Sequence, residues 1–178
     1  MTIISATIGA SEFLWGASSP QNLGFTQDGG KFIYEVDLVE RTAHESGTTP
    51  YEICVIGRDV RVEALLIEET VENLLLTLGS STSVVAPLDP TNEAVEMTAA
   101  DGEPLPSDRL ILHPIGGTNY KKDVVLWKAC VLPQISFETK VNHHRIYKVV
   151  FKALVSEDSK ANKRLARFGD YSIVPSYH

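Results

Sequence analysis

The sequence predicts a mainly β fold in which one α-helix packs on a sheet. Two observations carry this prediction. Apolar and polar residues alternate with the period of a strand through much of the 178-residue chain, whereas the segment "TVENLLLTLG" repeats its apolar residues at helical spacing. A chain of this length buries about 70% of its unfolded surface as one domain, so we expect a single domain, residues 1–178, with its own core.

The first strands are predicted from residues 31–42, "KFIYEVDLVERT", and from the two apolar segments that follow. Residues 31–42 alternate between two faces: Phe32, Tyr34, Val36 and Leu38 against Lys31, Ile33, Glu35 and Asp37. The next segments, "YEICVIG" and "DVRVEALLIEE", are interrupted at Gly57, which predicts a hairpin with its turn at residues 57–59. The connection at residues 41–52, "RTAHESGTTPYE", is long for a hairpin and rich in turn formers.

The helix follows these strands. Thr70 is placed to cap its start and Gly79 to end it. Its apolar residues repeat at helical spacing and are expected to face the sheet: Val71, Leu74, Leu75 and Leu78.

Residues 80–122 have a different composition from the segments on either side. They contain five of the nine prolines and three of the twelve glycines, with short apolar pieces near residues 94–97 and 110–112. This pattern predicts a loop-rich insertion with two short strands.

Two long strands are predicted from residues 124–158, and the second is apolar on both faces. Residues 145–155 place Tyr147 and Phe151 on one face, and Lys148 and Lys152 among apolar residues on the other. A strand that buries one face and keeps lysines on the other is expected to have its second face covered by protein. The closing segment "EDSKANKRLARFGD" predicts a short helix that ends at Gly169.

Charge is divided unevenly along the chain, whose net charge is −7. Residues 1–110 contain 18 Asp and Glu against 5 Lys and Arg, a net −13, and residues 111–178 contain 5 against 11, a net +6. Three interpretations remain open: a basic half that binds nucleic acid, complementary surfaces between copies of the chain, and solvated charge without a partner.

No motif for catalysis or metal binding stands out. "HPIGG", residues 113–117, lacks the Lys-Ser/Thr of a phosphate-binding loop and is interpreted as a turn. His143 and His144 are consecutive and point to opposite sides of an extended segment, while Cys54 and Cys130 are expected to be buried free thiols. We therefore expect no enzyme, metal or cofactor. The chain also lacks a signal peptide pattern and an apolar run of roughly 18 residues, so we expect a soluble protein made in the cytosol.

Three segments together resemble the major tail tube proteins of tailed bacteriophages: the early "LGFTQDGGKFIYEVDLVE", the acidic-then-helical "EETVENLL", and the closing "KVVFKALVSED" with "FGD". The resemblance covers nearly the whole chain. It implies two packed antiparallel sheets, sandwich-like or barrel-like, flanked by one helix. It also implies hexameric rings that stack into a tube around a channel for DNA.

The resemblance further implies the setting of the protein. The chain would be made in the host cytoplasm and reside in the virion tail, with other copies of itself as its main partner. A tape measure protein would fill the lumen, tail terminator and tail tip proteins would bind the ends, and a sheath would surround a contractile tail. DNA would pass without specific binding, and no membrane is involved. A tail terminator or another tail-completion ring protein is the alternative function.

Two sets of residues are candidates for these roles. Glu35, Asp37 and Glu63 lie opposite the apolar strand face and are candidates for lining the channel, where carboxylates would repel phosphates. The candidates for contacts between subunits or rings are Glu45, Ser46, Gly47, Thr48, Thr49, Pro50, Lys148 and Lys152.

Overall fold

The structure is a computed structural model. It describes residues 2–24, 26–42, 45, 47–68, 70–79, 81–87, 89–97, 102, 104–116, 120–132, 147–156 and 163–170. The strands are β1 (Thr2–Ile8), β2 (Ser11–Trp15), β3 (Gln21–Asn22), β4 (Thr26–Thr42), β5 (Pro50–Leu66), β6 (Ser81–Ala86), β7 (Asp89–Met97), β8 (Ser107–Pro114), β9 (Val124–Leu132), β10 (Tyr147–Ala153) and β11 (Ala166–Phe168). The helix is α1 (Val71–Leu78), and a 3-10 turn spans Tyr120–Lys122.

The strands form two antiparallel sheets. One has nine strands in the order β1-β4-β5-β10-β9-β8-β2-β3, with β11 also paired to β9, and the other consists of β6 and β7. The larger sheet folds back on itself, because Phe13 of β2 lies against Gly30 of β4 although four strands separate β4 from β2 in the sheet. The predicted mainly β, sandwich-like fold with one helix is confirmed.

The core lies between the facing parts of the folded sheet. Phe151 is at its centre, with ring centroids 6.4 Å from Phe13 and 5.7 Å from Trp15. The predicted core face of β10 is confirmed, since Tyr147 and Phe151 are both buried. Because successive side chains of a strand point to opposite faces, every second side chain of β4, β5 and β10 points into this core.

The helix forms where it was predicted, but the face that it buries differs from the prediction. Thr70 caps α1 by accepting a hydrogen bond from the Asn73 backbone N–H at 3.2 Å, and Gly79 follows its last residue with φ of 70°. The fully buried residues are Asn73 and Thr77, while the four predicted apolar residues are half-buried. The Asn73 side chain donates to the carbonyls of Leu23 and Glu68, which no leucine could do, and this anchors α1 by its polar side.

The predicted turn at residues 57–59 is wrong, because β5 is one continuous strand of 17 residues. Gly57 marks a β-bulge instead: Asp37 pairs with Gly57 and Leu38 pairs with Val55, which leaves Ile56 without an opposite residue. A glycine inside a strand indicates either a break or a bulge, and here the missing side chain makes room for the Asp37 carboxylate. The hairpin therefore runs from β4 to β5.

Two further predictions are corrected. The described part of residues 80–122 contains three strands, and β8 is a core strand in which Leu110, Ile111 and Leu112 are buried. The predicted C-terminal helix is absent from its described part, since residues 163–165 are irregular and β11 follows. β10 pairs with residues 129–132 of β9 only. β11 pairs with residues 124–126 of β9, which β10 does not reach. Residues 157–162 and His143 and His144 lie outside the described residues.

The remaining sequence features agree with the structure where it describes them, except that the predicted burial of Cys54 is wrong. Residues 115 and 116 form the expected turn after β8, with φ of 75° at Gly116. Both cysteines are free: Cys130 is buried as predicted, and Cys54 is only half-buried. No helix within the described part of the chain is long and apolar enough to cross a membrane.

Candidate assembly interface

The β4–β5 hairpin extends beyond the rest of the larger sheet. On one side β1 pairs with β4 only as far as Val36, and on the other β10 pairs with β5 only from Arg61 onward. Residues 37–42 of β4 and 50–57 of β5 therefore pair with each other and with no other described strand. We call this two-stranded segment the ribbon. Six strand residues span roughly 20 Å, so the ribbon reaches well past the body of the protein.

One face of the ribbon is mainly apolar and exposed, with Glu40 opposite Ile53 as its charged residue. Leu38 pairs with Val55, and alternation along β5 puts Ile53 and Tyr51 on the same face as Val55. The exposed fractions are 39% for Leu38, 48% for Val55, 58% for Ile53 and 64% for Tyr51. Contiguous exposed apolar residues of this kind mark surfaces that bind another protein.

The ribbon ends in the turn that the sequence singled out as a contact loop. Glu45, Gly47, Thr48 and Thr49 are exposed there, and Pro50 is half-buried at the start of β5. Ser46 lies outside the described residues. The connection is seven residues, from 43 to 49, because β4 and β5 both continue into the segment that the sequence assigned to a longer loop.

The face of the larger sheet opposite the core carries a network of ion pairs. Arg61 pairs with Glu35 and has its Nε 3.1 Å from Asp59 Oδ2, an ion-pair distance without the alignment of a hydrogen bond. Lys152 of β10 joins this network, with its Nζ 3.1 Å from Asp59 Oδ1, and Lys148 of β10 forms a separate pair, with its Nζ 2.8 Å from Glu63 Oε2. Both lysines, predicted to reach a neighbouring subunit, pair with carboxylates of their own chain.

These ion pairs also bear on the three candidate channel residues. Glu35, Asp37 and Glu63 lie on the face opposite the core, as the alternation predicted. Glu35 and Glu63 are half-buried and paired with cations, whereas Asp37 is exposed beside Gly57. The chain itself thus neutralises much of the negative charge on this face, and the channel-lining role of these residues stays a prediction.

A groove lies at the base of the ribbon, on the core side of β4 and β5. Its volume is about 530 Å³, and it is lined by Phe32, Tyr34, Arg58, Val60, residues 163–166 and Phe168. Phe168 closes one end by stacking edge-on against Phe32, with ring centroids 4.7 Å apart. A smaller recess of about 290 Å³ shares Arg58, Lys163 and Leu165 with it and continues along β5 to Val55. The groove therefore leads directly onto the apolar face of the ribbon.

The groove has a basic rim. Arg58 and Lys163 are exposed and have no carboxylate partner within the described residues. Arg164 and Arg167 lie over the ring of Trp127, with guanidinium carbons 5.4 and 5.1 Å from its centroid. Sequence reasoning missed this site because it assigned residues 163–168 to a helix; three cations and an aromatic residue within six positions were the available signal.

Away from the ribbon and its groove, one close polar contact involves His113 and Asp123. His113 Nδ1 lies 2.8 Å from Oδ1 of the fully buried Asp123 carboxylate, a contact that ties β8 to the start of β9. Within the described ranges, no group of three or more His, Cys, Asp and Glu side chains is placed to hold a metal ion. The surface with the clearest chemical character is thus the ribbon together with the groove at its base.

No family model matches this chain, and no curated protein matches it either.

Proposed function

We propose that this chain is a structural virion protein that polymerises as stacked hexameric rings, forming the phage tail tube through which DNA is delivered into the host. The observation that carries the proposal is the ribbon, a projecting two-stranded arm whose apolar face has no cover among the described residues. An arm of this kind fits a protein whose partner is another copy of itself.

The ribbon favours an assembly in which unlike surfaces meet. A projecting arm binds in a recess on the neighbouring copy. Each copy therefore uses two different surfaces, its arm for one neighbour and its recess for the other. Such heterologous contacts produce closed rings when the rotation between neighbours closes, and open filaments when it does not. The uneven charge along the chain supports the same arrangement, because unlike charges on the two contacting surfaces favour one orientation over its reverse.

The sequence resemblance to tail tube proteins supplies the kind of assembly: six subunits per ring, rings stacked around a channel, and a tape measure protein, terminator and tip proteins as further partners. In this proposal the mixed-charge face of the larger sheet is a candidate for the channel wall, since paired charges leave few cations to retain DNA phosphates.

Electron microscopy of concentrated purified protein tests the proposal. We expect rings with sixfold symmetry and tubes of uniform diameter. Single rings that never stack at any salt concentration would favour the tail terminator alternative. A species that stays monomeric by sedimentation at high concentration and at all salt concentrations would refute assembly altogether.

The role of the ribbon is tested with a matched pair of variants. Ile53→Thr together with Tyr51→Thr removes apolar surface from the ribbon and introduces threonine, a β-branched residue that suits a strand. Val84→Thr together with Val85→Thr removes exposed apolar surface from β6 and serves as the control. We expect the first variant to lose tubes and rings with an unchanged circular dichroism spectrum, and the control to assemble as the wild type does.

A shortened ribbon gives a second test. Deleting residues 44–49 and closing the strands with Asn-Gly keeps the hairpin but removes its tip. We expect the fold to persist and the tubes to become shorter, and we expect raised salt to shorten wild-type tubes by screening charges beyond a Debye length of about 8 Å at physiological ionic strength. Tubes of wild-type length from the shortened chain would contradict a role for the tip.

A further inference from the structure

The ribbon and the groove at its base are complementary in charge. Residues 37–57 carry four carboxylates and one arginine. This arginine, Arg41, is paired with Glu52, with its Nη1 3.1 Å from Glu52 Oε2. The groove is lined by the cations Arg58, Lys163 and Arg164 and, among the described residues, by no carboxylate. The ribbon is thus acidic and the groove is basic. Opposite charge on two contacting surfaces steers their encounter and selects their orientation.

The two surfaces are also complementary in their apolar chemistry. The groove presents aromatic and aliphatic side chains of Phe32, Tyr34, Val60 and Phe168. The outer ribbon presents Tyr51 and Ile53, both more than half exposed. A tyrosine is well suited to anchor such a contact, because its ring buries a large area at a small cost in side-chain entropy while its hydroxyl can remain hydrated.

We propose that the groove is the receiving site for the ribbon tip of a second copy of this chain. Tyr51 of the incoming ribbon enters the aromatic groove, and Glu40 and Glu45 approach Arg58 and Lys163. The inference rests on the proposed function, since it names the surface on which the assembling arm is received.

The geometry prevents the ribbon tip of one copy from binding in the groove of the same copy. The groove lies at the base of the same ribbon whose tip must be received, and the ribbon is a paired β structure that reaches roughly 20 Å outward. A copy with its groove filled still offers its own tip to the next copy. Each contact therefore leaves one free tip and one free groove, until a ring closes.

Reciprocal charge reversal tests the contact. The groove variant is Arg58→Glu with Lys163→Glu, and the ribbon variant is Glu40→Lys with Glu45→Lys; all four side chains are exposed. Each variant alone is expected to reduce assembly in sedimentation and microscopy at least tenfold, whereas an equimolar mixture of the two is expected to restore assembly, because acidic tips then meet basic grooves and basic tips meet acidic grooves in alternation. The chain that carries all four substitutions is expected to regain assembly, because each contact then pairs reversed tip with reversed groove.

A matched control places reversals of the same type at cations that do not line the groove. Lys121→Glu with Lys122→Glu changes two exposed cations of the 3-10 turn. This control is expected to assemble like the wild type. If it loses assembly as strongly as the groove variant does, the effect is one of net charge and the inference is overturned.

Photocrosslinking locates the contact directly. A benzoylphenylalanine at position 51, in an equal mixture of unlabelled and nitrogen-15-labelled chains, is expected to give mixed-isotope crosslinks to residues 163–168 or to β5 near Arg58. Circular dichroism checks that each charge-reversal variant folds. The crosslinking experiment uses no charge reversal, so it tests the contact even if one of those variants misfolds.

The outcomes separate the two proposals. If wild-type chains assemble but the crosslinks fall elsewhere, or if groove reversal leaves assembly intact, the receiving site is wrong and the tail tube proposal survives. If wild-type chains do not assemble under any condition, both proposals fail.

Discussion

The inner and outer halves of the β4–β5 hairpin contrast with each other although they belong to the same two strands. In the inner half, Phe32, Val62 and Leu66 are buried in the core, whereas in the outer half Ile53 and Tyr51 are more than half exposed. Both halves alternate apolar with polar residues. The difference arises because the inner half has β1 and β10 beside it and a facing part of the sheet above it, and the ribbon has none of these among the described residues.

This contrast shows that an apolar strand pattern specifies a face to be covered without specifying what covers it. In the inner half the cover is the protein's own core. In the ribbon the same pattern continues outward, and the proposed cover is a second chain. The two halves should therefore respond differently to the same substitutions.

The largest expected difference is in stability. Leu66→Ala removes a fully buried side chain from the inner half of β5 and should lower the free energy of unfolding by about 2–5 kcal/mol. Ile53→Ala, in the same strand, should change it by less than about 0.5 kcal/mol in dissociated protein, since its side chain is exposed. Urea denaturation at low protein concentration measures both values. Equal losses would mean that the ribbon is part of the folding core.

The glycines of the two halves give the next largest difference. An added Cβ at Gly30 would lie 2.7 Å from Phe13 Cζ, inside a packed core, so Gly30→Ala should cost about 1–3 kcal/mol of stability. At Gly57 the nearest atom is Asp37 Oδ2 at 3.0 Å, the end of an exposed side chain that can move away. Gly57→Ala should therefore stay within about 0.5 kcal/mol of the wild type. Thermal unfolding followed by circular dichroism measures both losses. A larger loss for Gly57→Ala than for Gly30→Ala would contradict this assignment.

Ion pairs sharpen the comparison further. Arg61 in the inner half is half-buried and paired with Glu35 and Asp59, so Arg61→Gln should cost roughly 1–2 kcal/mol, between the ranges for exposed and buried pairs. Arg41 of the ribbon pairs with Glu52 where both are about half exposed, and Arg41→Gln should cost less than about 0.5 kcal/mol. Repeating both measurements in 1 M NaCl should leave the Arg61 effect larger. Indistinguishable values would show that the inner network contributes nothing to stability.

The smallest expected effect is a difference in thiol reactivity. Burial raises the pKa of the Cys130 thiol, and the smaller effects of its own backbone and of Lys152 oppose this rise. At pH 7.5 less of Cys130 is thereby present as the reactive thiolate, and its access to reagent is also restricted. N-ethylmaleimide should thus modify Cys54 of the ribbon faster than Cys130 in dissociated protein, as mass spectrometry of the peptides would show. Faster modification of Cys130 would contradict the assigned burial.

Local sequence signals predicted some elements well and failed at others for identifiable reasons. Thr70 and Gly79 bounded the helix correctly, because caps depend on hydrogen bonds within a few residues. Gly57 misled the prediction, since a glycine between apolar runs is compatible with a turn and with a bulge, and only pairing with β4 selects the bulge. Residues 166–168 became a strand through the open edge of β9, a partner about 40 residues away in the sequence.

The candidate site divides in the same way. The turn at the ribbon tip was predictable, because turn formers between two strand patterns identify it directly. The groove was not, since it joins β4 and β5 to residues 163–168, which are distant in sequence. The pairing of Lys148 with Glu63 within one chain likewise required the register between β10 and β5.

The sequence by itself determined the period of each strand, the caps of the helix and the opposite charge of the two parts of the chain, because these depend on residue identity and near neighbours. Tertiary structure alone decided which apolar faces are covered, where β5 bulges, and which charges neutralise each other. Those outcomes depend on strand order and register, in which a shift of one residue moves every side chain to the opposite face of the sheet. The ribbon and its groove arise at that level, since β1 and β10 end before β4 and β5 do.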